Sequence, residues 1–281
     1  MLFRPGRRAS LLLAVLLLPV ATACGGNAQA DSDVTLRVGA TGWKVEEAAL
    51  KFANLDNTPY HIKWSTFQGG DKQLEAVRAG ALDLASSSEI PPVFAAADGK
   101  PNFKVVAVQS GSTLNQEVVV PNDGLAALNG GSIDAFASYG TSIITAHQQG
   151  ATTIGSGADI LSGNFLWSAR DSVLKSAAQK EAAADLIARI SKAYAYVRDG
   201  HEAEFAKVIA RNTHQPVAQA ETDLVAQQKQ RPTAARPVDA AATASEQKVA
   251  DVFTELGALG SRLDVASFWT TDLDAELEKS L

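Results

Sequence analysis

Residues 64–96, WSTFQGGDKQLEAVRAGALDLASSSEIPPVFAA, decide how the chain is read. Trp64 and Phe67 stand among polar residues as on a half-buried strand. Gly69-Gly70 then breaks the pattern as a turn. Over 71–79, Leu74, Val77 and the following Ala81 gather near one helical face, with Gly80 as C-cap. A short apolar strand is expected over 81–85, leading into a polar loop, Ser86-Ser87-Ser88-Glu89. A second helix begins at Pro91-Pro92, since proline is tolerated in a first helical turn, where its missing N–H costs nothing. Ser88 stands in the N-cap place ahead of it. Such a strand–helix–strand–helix unit makes backbone N–H groups and hydroxyls converge.

Upstream, 60–67 forms the strand before the Gly-Gly turn and 34–38 a first strand. The turn Gly39-Ala40-Thr41-Gly42-Trp43 connects 34–38 to a helix over 45–52. That is the opening of a βα unit, in which ligands collect at the carboxyl end of the strand. Downstream, strands are expected at 103–108 and 117–120, separated by the polar turn Ser110-Gly111-Ser112-Thr113. The order small turn, apolar, Asp, apolar at 79–85 is echoed at 130–136. Another strand falls at 163–167, a helical region at 171–212 broken near Gly200, a helix at 215–230, a proline-containing segment at 231–238 and a helix at 243–256.

The amino terminus reads as an export signal. Arg4, Arg7 and Arg8 precede an apolar run over 11–20, too short to span a bilayer, and then Ala21-Thr22-Ala23-Cys24. In a signal of the lipoprotein type, 1–23 is removed and the Cys24 thiol is acylated, with Ala21 where a leucine is usual. The other reading is a secretory signal cut near Ala23 or Ala30, with Cys24 unmodified. Residues 24–33 are small and polar, a tether. Cys24 is the only cysteine, so neither an internal disulfide nor a cysteine-based zinc site is expected. His61, His147, His201 and His214 are scattered without zinc-site spacing, so no metal and no cofactor is expected. Loss of the three leader arginines takes the formal net charge from −6 to −9. Such an acidic body argues against nucleic acid as a partner.

A set of landmarks carries a family resemblance: 64–67 before Gly69-Gly70, 79–92, Asp134-Ala135-Phe136-Ala137, 163–170, Arg231-Pro232 with Arg236-Pro237, 247–253, and Leu263-Asp264-Val265 before Trp269. In this order and spacing the chain resembles the substrate-binding proteins of ABC importers for aliphatic sulfonates, taurine and nitrate. The resemblance implies an α/β fold of two lobes, the periplasmic-binding type II arrangement, with 34–118 and 234–281 as lobe 1 and 119–233 as lobe 2. Crossings between lobes are then expected at 119–121 and 231–238. It further implies a small organic anion as ligand, an ABC permease and ATPase as partners, and a lipid-anchored place on the outer face of the cell membrane. Between Gly124 and Leu125 such proteins carry roughly 40 more residues, more than one βα unit, so the second lobe is expected to be shortened.

An oxyanion is best held by hydroxyls, backbone N–H groups and helix N-termini, which stabilise charge without a full counter-charge. Thr41, Gly42, Ser87, Ser88 and Ser110 meet that need, and equally meet the needs of ordinary caps and turns. Glu89 stands where an anion is repelled; it either points away or binds a ligand amine. Trp43 and Tyr139 offer apolar walls for an organic tail or are core residues, and Tyr139 matches a family position. Asn164 is either an amide donor to ligand or a turn residue, and Arg170 an ion-pair former. Two other functions compete: a remnant or sensing scaffold that no longer binds ligand, and an enzyme cleaving a C–S bond. Relatives with that chemistry use a cysteine nucleophile, against which the lone Cys24 argues. A Gly-x-Ser-x-Gly elbow and a phosphate-binding P-loop are both absent from the sequence.

Overall fold

In the computed structural model, which describes residues 34–120 and 133–281, the chain opens as β1 (Thr35–Thr41), α1 (Val45–Phe52), β2 (His61–Phe67), α2 (Gly70–Arg78), β3 (Leu84–Ser88), α3 (Ile90–Ala97) and β4 (Phe103–Ser110). The export signal, Cys24, the tether and the Gly124–Leu125 junction lie outside the described residues. Strands β1 and β2 run parallel from Thr35 opposite His61 to Thr41 opposite Phe67, and β1 is parallel to β3 with Val38 opposite Leu84. Parallel neighbours need crossover connections, which α1 and α2 supply. The carboxyl ends of β1, β2 and β3 therefore share one edge.

Two boundaries differ from the sequence reading for visible reasons. Strand β1 continues through Gly39 and Ala40, both buried, instead of turning there. Gly39 is a position where a Cβ would lie 2.8 Å from a Leu82 methyl and 2.9 Å from the Gln73 amide carbon. Only a glycine lets β1 pass under α2 at that height. Strand β3 starts at Leu84, not Ala81, because the wholly buried Asp83 is drawn into an ion-pair cluster. Its carboxylate accepts from the Arg37 amide at 2.9 Å, from Arg37 Nε at 2.9 Å and Nη2 at 2.7 Å, and from Arg170 Nη2 at 2.7 Å. Burial of the Asp83 carboxyl opposes ionisation, but the guanidinium and amide donors prevail and hold its pKa below the usual range. Ser86, Ser87 and Ser88 thus sit on the strand and not in a loop. The N-cap of α3 is Glu89, not Ser88, and has no side-chain cap bond.

A second sheet follows: β5 (Gln116–Val120), β6 (Phe136–Tyr139) and β7 (Thr152–Ser156), ordered β6-β5-β7 and antiparallel throughout. Helix α4 (Thr141–Gln148) covers it through Ile143 and Ala146, which pack with Val119, Ala151 and Phe136. This is a small core.

The chain then returns as β8 (Asn164–Arg170), α5 (Asp171–Leu174), α6 (Ala177–Arg198), α7 (Glu202–Thr213), α8 (Val217–Gln230), β9 (Ala234–Arg236), α9 (Ala240–Glu255), a 3-10 turn (Val265–Phe268) and α10 (Asp274–Ser280). The break near Gly200 is present, at φ +83°. Strand β8 is inserted between β3 and β4, antiparallel to both, and β9 pairs with β4, giving the six-stranded order β2-β1-β3-β8-β4-β9. Helix α6 buries Leu186, Ile187, Ile190 and Val197 in one cluster with Leu36, Leu50 and Trp167. Residues 164–198, expected in the second lobe, are therefore part of the large-sheet layer, because β8 is hydrogen-bonded on both edges within it. The passages between sheets are 111–115 and 157–163, and 231–238 is not a crossing but carries β9. Among the described residues, no helix is long and apolar enough to cross a membrane.

Candidate functional site

The carboxyl edge of β1 and β3 brings part of the expected set together. From the register of Val38 opposite Leu84, Thr41 and Ser87 stand level at the ends of parallel strands. Ser87 is buried and its hydroxyl donates to the Ser88 carbonyl at 2.9 Å; the Ser88 side chain is exposed. The first residue of α2 is seated directly on Ser87. A Cβ on Gly70 would lie 3.1 Å from Pro91 Cγ and 3.2 Å from Ser87 Cα, closer still to Ser87 Cβ. Because α2 has no side-chain N-cap, its first N–H groups have no helical acceptor and carry the positive end of the helix dipole. Across from them, Tyr139 at the end of β6 places its hydroxyl 3.4 Å from where a Gly69 Cβ would stand. Burial, then the Asp71 carboxylate, raise the Tyr139 pKa, so its hydroxyl keeps its proton and stays a donor. Tyr139 is 52% exposed, so it is a wall residue and not core.

Behind this edge lies Gln73, wholly buried on α2. Its carbonyl accepts from the Ser86 amide at 3.1 Å and its NH2 group donates to Thr41 Oγ1 at 2.8 Å. Sequence reasoning misses Gln73; the available signal is an amide beside Leu74 on the face that α2 buries.

Glu89 and Asn164 also meet, but with each other. The Glu89 carboxylate accepts from Ser162 Oγ at 2.6 Å and from Asn164 Nδ2 at 3.0 Å, while Asn164 Oδ1 accepts from Arg236 Nη2 at 3.2 Å. Both Glu89 oxygens are engaged by the returning segment, and Asn164 serves the protein. Arg236 also pairs with Asp239 at 2.8 Å. The adjoining Glu246 is wholly buried and accepts from Trp269 Nε1. Burial pushes its carboxyl up to about 8, the indole N–H acts against that, and the Glu89 carboxylate adds to it.

Three expected residues lie elsewhere. Ser110 donates its hydroxyl to the carbonyl oxygens of Pro232 at 2.6 Å and Ala234 at 3.2 Å, fastening β4 to the chain entering β9; it is structural because that backbone passes within reach. Trp43 packs against the large core. Gly42 is exposed and supplies a φ of +66° in the turn to α1. Arg170 is the ion-pair former expected, at 2.7 Å from Asp83. Among the described residues, no group of three or more His, Cys, Asp or Glu side chains is placed to hold a metal ion. A cleft lined by Thr66, Phe67, Lys72 and Ala79 borders α2 without including Thr41, Ser87 or Tyr139.

The arrangement is a donor-rich edge of helix N–H groups, a threonine and a tyrosine, with Glu89 engaged by Ser162 and Asn164 and with Asp71 in the first turn of α2 beside the Gly69 position. That edge, on a mixed α/β sheet faced by a second small sheet, is the architecture of the periplasmic binding proteins. The chain has that fold. It matches the periplasmic aliphatic sulphonate binding protein SsuA of Escherichia coli at TM-score 0.67 and 22% identity, over 84% of this chain and 92% of that one. The alkanesulfonate-binding SsuA of Xanthomonas axonopodis pv. citri, solved bound to MOPS, matches at TM-score 0.72 and 19% identity, over 85% and 99%. At lower similarity the fold is shared with the desulfurization enzyme DSZB, at 11% identity and TM-score 0.59 over 89% and 99%. In sequence the chain is 26% identical over 254 residues to a protein of Escherichia coli (strain K12) provisionally named an aliphatic sulfonates-binding protein, covering 73% of this chain and 77% of that one. No family model matches the chain. The chain thus has the periplasmic-binding fold and is similar in sequence to a protein provisionally named an aliphatic sulfonates-binding protein.

Proposed function

We propose that the chain is the extracytoplasmic solute-binding component of an ABC importer and that it binds a small organic anion, an alkanesulfonate or a taurine-like molecule. The observation that carries this reading is the convergence of Thr41, the uncapped start of α2 at Gly69-Gly70, Ser87 and, from the second sheet, Tyr139. A sulfonate brings three acceptor oxygens and no proton, which suits a wall of donors with no counter-ion. The similarity to sulfonate-binding proteins supports the same ligand class. The engagement of Glu89 by Ser162 and Asn164 takes that carboxylate out of contention, and Asp71 is the acid that remains beside Tyr139 and the start of α2.

Among the described residues, the fold is then divided as 34–110 with 164–281 in lobe 1 and 111–120 with 133–163 in lobe 2, closing about the two crossings. Export, acylation of Cys24 and delivery to a permease complete the reading at the outer face of the membrane. The alternative of a fold that has lost its ligand rests on the smallness of the second sheet, three strands and one helix among the described residues. An enzyme with a cysteine nucleophile is disfavoured because Cys24 is the only thiol.

Thermal unfolding with saturating taurine, ethanesulfonate, MOPS or nitrate tests the proposal, since a ligand that binds only the native state raises Tm. A rise with a sulfonate supports it; a Tm unmoved by every compound favours the remnant.

A further inference from the structure

We propose that Gln73 is a positioning residue that fixes Thr41 as a hydrogen-bond donor and thereby tunes this wall for oxyanions that carry acceptors only. The inference rests on the anion-binding reading above. Gln73 is wholly buried and touches no ligand position itself; its amide bridges the ends of β1 and β3 from behind. Its orientation has one solution. A backbone N–H only donates, so the Gln73 atom 3.1 Å from the Ser86 amide nitrogen is the carbonyl oxygen. The NH2 group is left to face Thr41 Oγ1 at 2.8 Å. An amide nitrogen has no lone pair to offer, so in this contact the Thr41 hydroxyl is the acceptor. A hydroxyl has one proton and two acceptor lone pairs. With one of those lone pairs taken on the protein side, its proton has no recipient among the described residues and is left for whatever lies in front of the sheet edge.

The device is held rigid. The glycine at position 39 makes room for the Gln73 amide against β1, and Ser86 and Thr41 fix both ends of the amide plane. Thr41 therefore meets a ligand as a preset donor, without the orientational choice of a free hydroxyl. A sulfonate oxygen accepts that proton. A protonated oxyanion such as a phosphonate monoanion offers one acceptor oxygen fewer to the same wall of donors and brings a proton that the wall is not set to receive.

Calorimetry on the full mature chain with ethanesulfonate and methylphosphonate tests this through a double-mutant cycle of Gln73→Glu and Thr41→Val. A carboxylate at position 73 still accepts from Ser86 but turns the Thr41 proton back toward itself. Expected is a loss of ethanesulfonate affinity on Gln73→Glu that is at least about tenfold larger with Thr41 present than in the Thr41→Val background. As the pH is lowered and the new carboxyl protonates, the affinity returns. Equal losses in both backgrounds indicate a plain charge effect and overturn the inference. Should Gln73→Glu not fold, Thr41→Val alone decides: an affinity for ethanesulfonate unchanged from wild type overturns the inference, and a loss coupled to a narrowed preference over methylphosphonate supports it. Failure of the wild-type chain to bind any oxyanion overturns the functional reading itself and the inference with it.

Discussion

Gly111 and Gly163 lie against each other where the chain passes between the two sheets: the Gly111 amide donates to the Gly163 carbonyl at 2.9 Å. Neither has room for a side chain. A Cβ on Gly111 would lie 2.7 Å from the Phe165 ring, and one on Gly163, where φ is +69°, would lie 2.6 Å from the Gly111 carbonyl oxygen and inside the Arg231 guanidinium. Around this pair, Gln230 accepts from the Thr113 amide at 3.0 Å and from Ser112 Oγ at 2.7 Å. The end of α8 thus grips the outgoing crossing, and Arg231 reaches the Gly111 carbonyl at 3.3 Å.

Gly163→Ala is therefore expected to destabilise by about 1–3 kcal/mol, since it adds a left-handed backbone penalty to a clash with backbone that has no slack. Thermal unfolding should show a Tm lower by several degrees. A Tm equal to wild type would mean that the crossings are not packed as described.

The Asp83 cluster makes stability depend on acid. Its folded pKa lies below the ordinary 3.8, so its contribution is fully present above that value and is lost as the pH falls through the lower folded value. Asp83→Asn should cost roughly 2–4 kcal/mol near neutrality, below the figure for a fully buried pair because both guanidiniums are partly exposed to solvent. Urea midpoints measured from pH 2 to 7 should show a steeper acid decline for wild type than for the variant; parallel curves would contradict the cluster's role.

The opposite sign holds at Glu246. Its carboxyl is raised from an ordinary 4.5 to about 8, so the folded state holds the extra proton across that window, and stability falls as the pH rises through it. Glu246→Gln keeps an acceptor for Trp269 and removes the ionisation. The variant should be the more stable protein by a few kcal/mol above pH 8, with the gap closing toward pH 4.5. Chemical unfolding at pH 5 and 8.5 checks this, and a gap independent of pH would refute it.

On the ligand side, Tyr139→Phe removes a hydroxyl that faces Gly69 and leaves a half-exposed ring in place. Affinity for a sulfonate should drop several-fold to about tenfold, with Tm unchanged in the absence of ligand. A fall in Tm without a change in affinity would make Tyr139 a structural contact only.

The local units are legible in the sequence because their signals are local. The helix over 45–52 has the bounds expected, and the break near Gly200 and the helix starting near Pro91 fall where glycine and proline put them. What is not legible depends on pairing between distant residues. The insertion of β8 between β3 and β4 follows from hydrogen bonds on both its edges, and no periodicity within 163–170 specifies a partner, so the lobe boundary expected from sequence is misplaced. In the candidate site, Thr41, Ser87 and Tyr139 are readable from hydroxyls at a βα edge and from a matched position. The use of the Ser110 hydroxyl by Pro232 is not, since it depends on backbone 122 residues away. Gln73 is hidden by rank: one polar residue on a buried helical face reads as an imperfection until its partners are seen.

On the proposed reading, the donor edge made by Thr41, the start of α2 at Gly70 and Tyr139 holds a sulfonate. Titration calorimetry of residues 24–281 with ethanesulfonate and taurine measures it directly. Saturable heat with one ligand per chain is expected, weakened by Tyr139→Phe and by Thr41→Val. Absence of heat with the folded wild-type chain, or binding that both substitutions leave untouched, would contradict it.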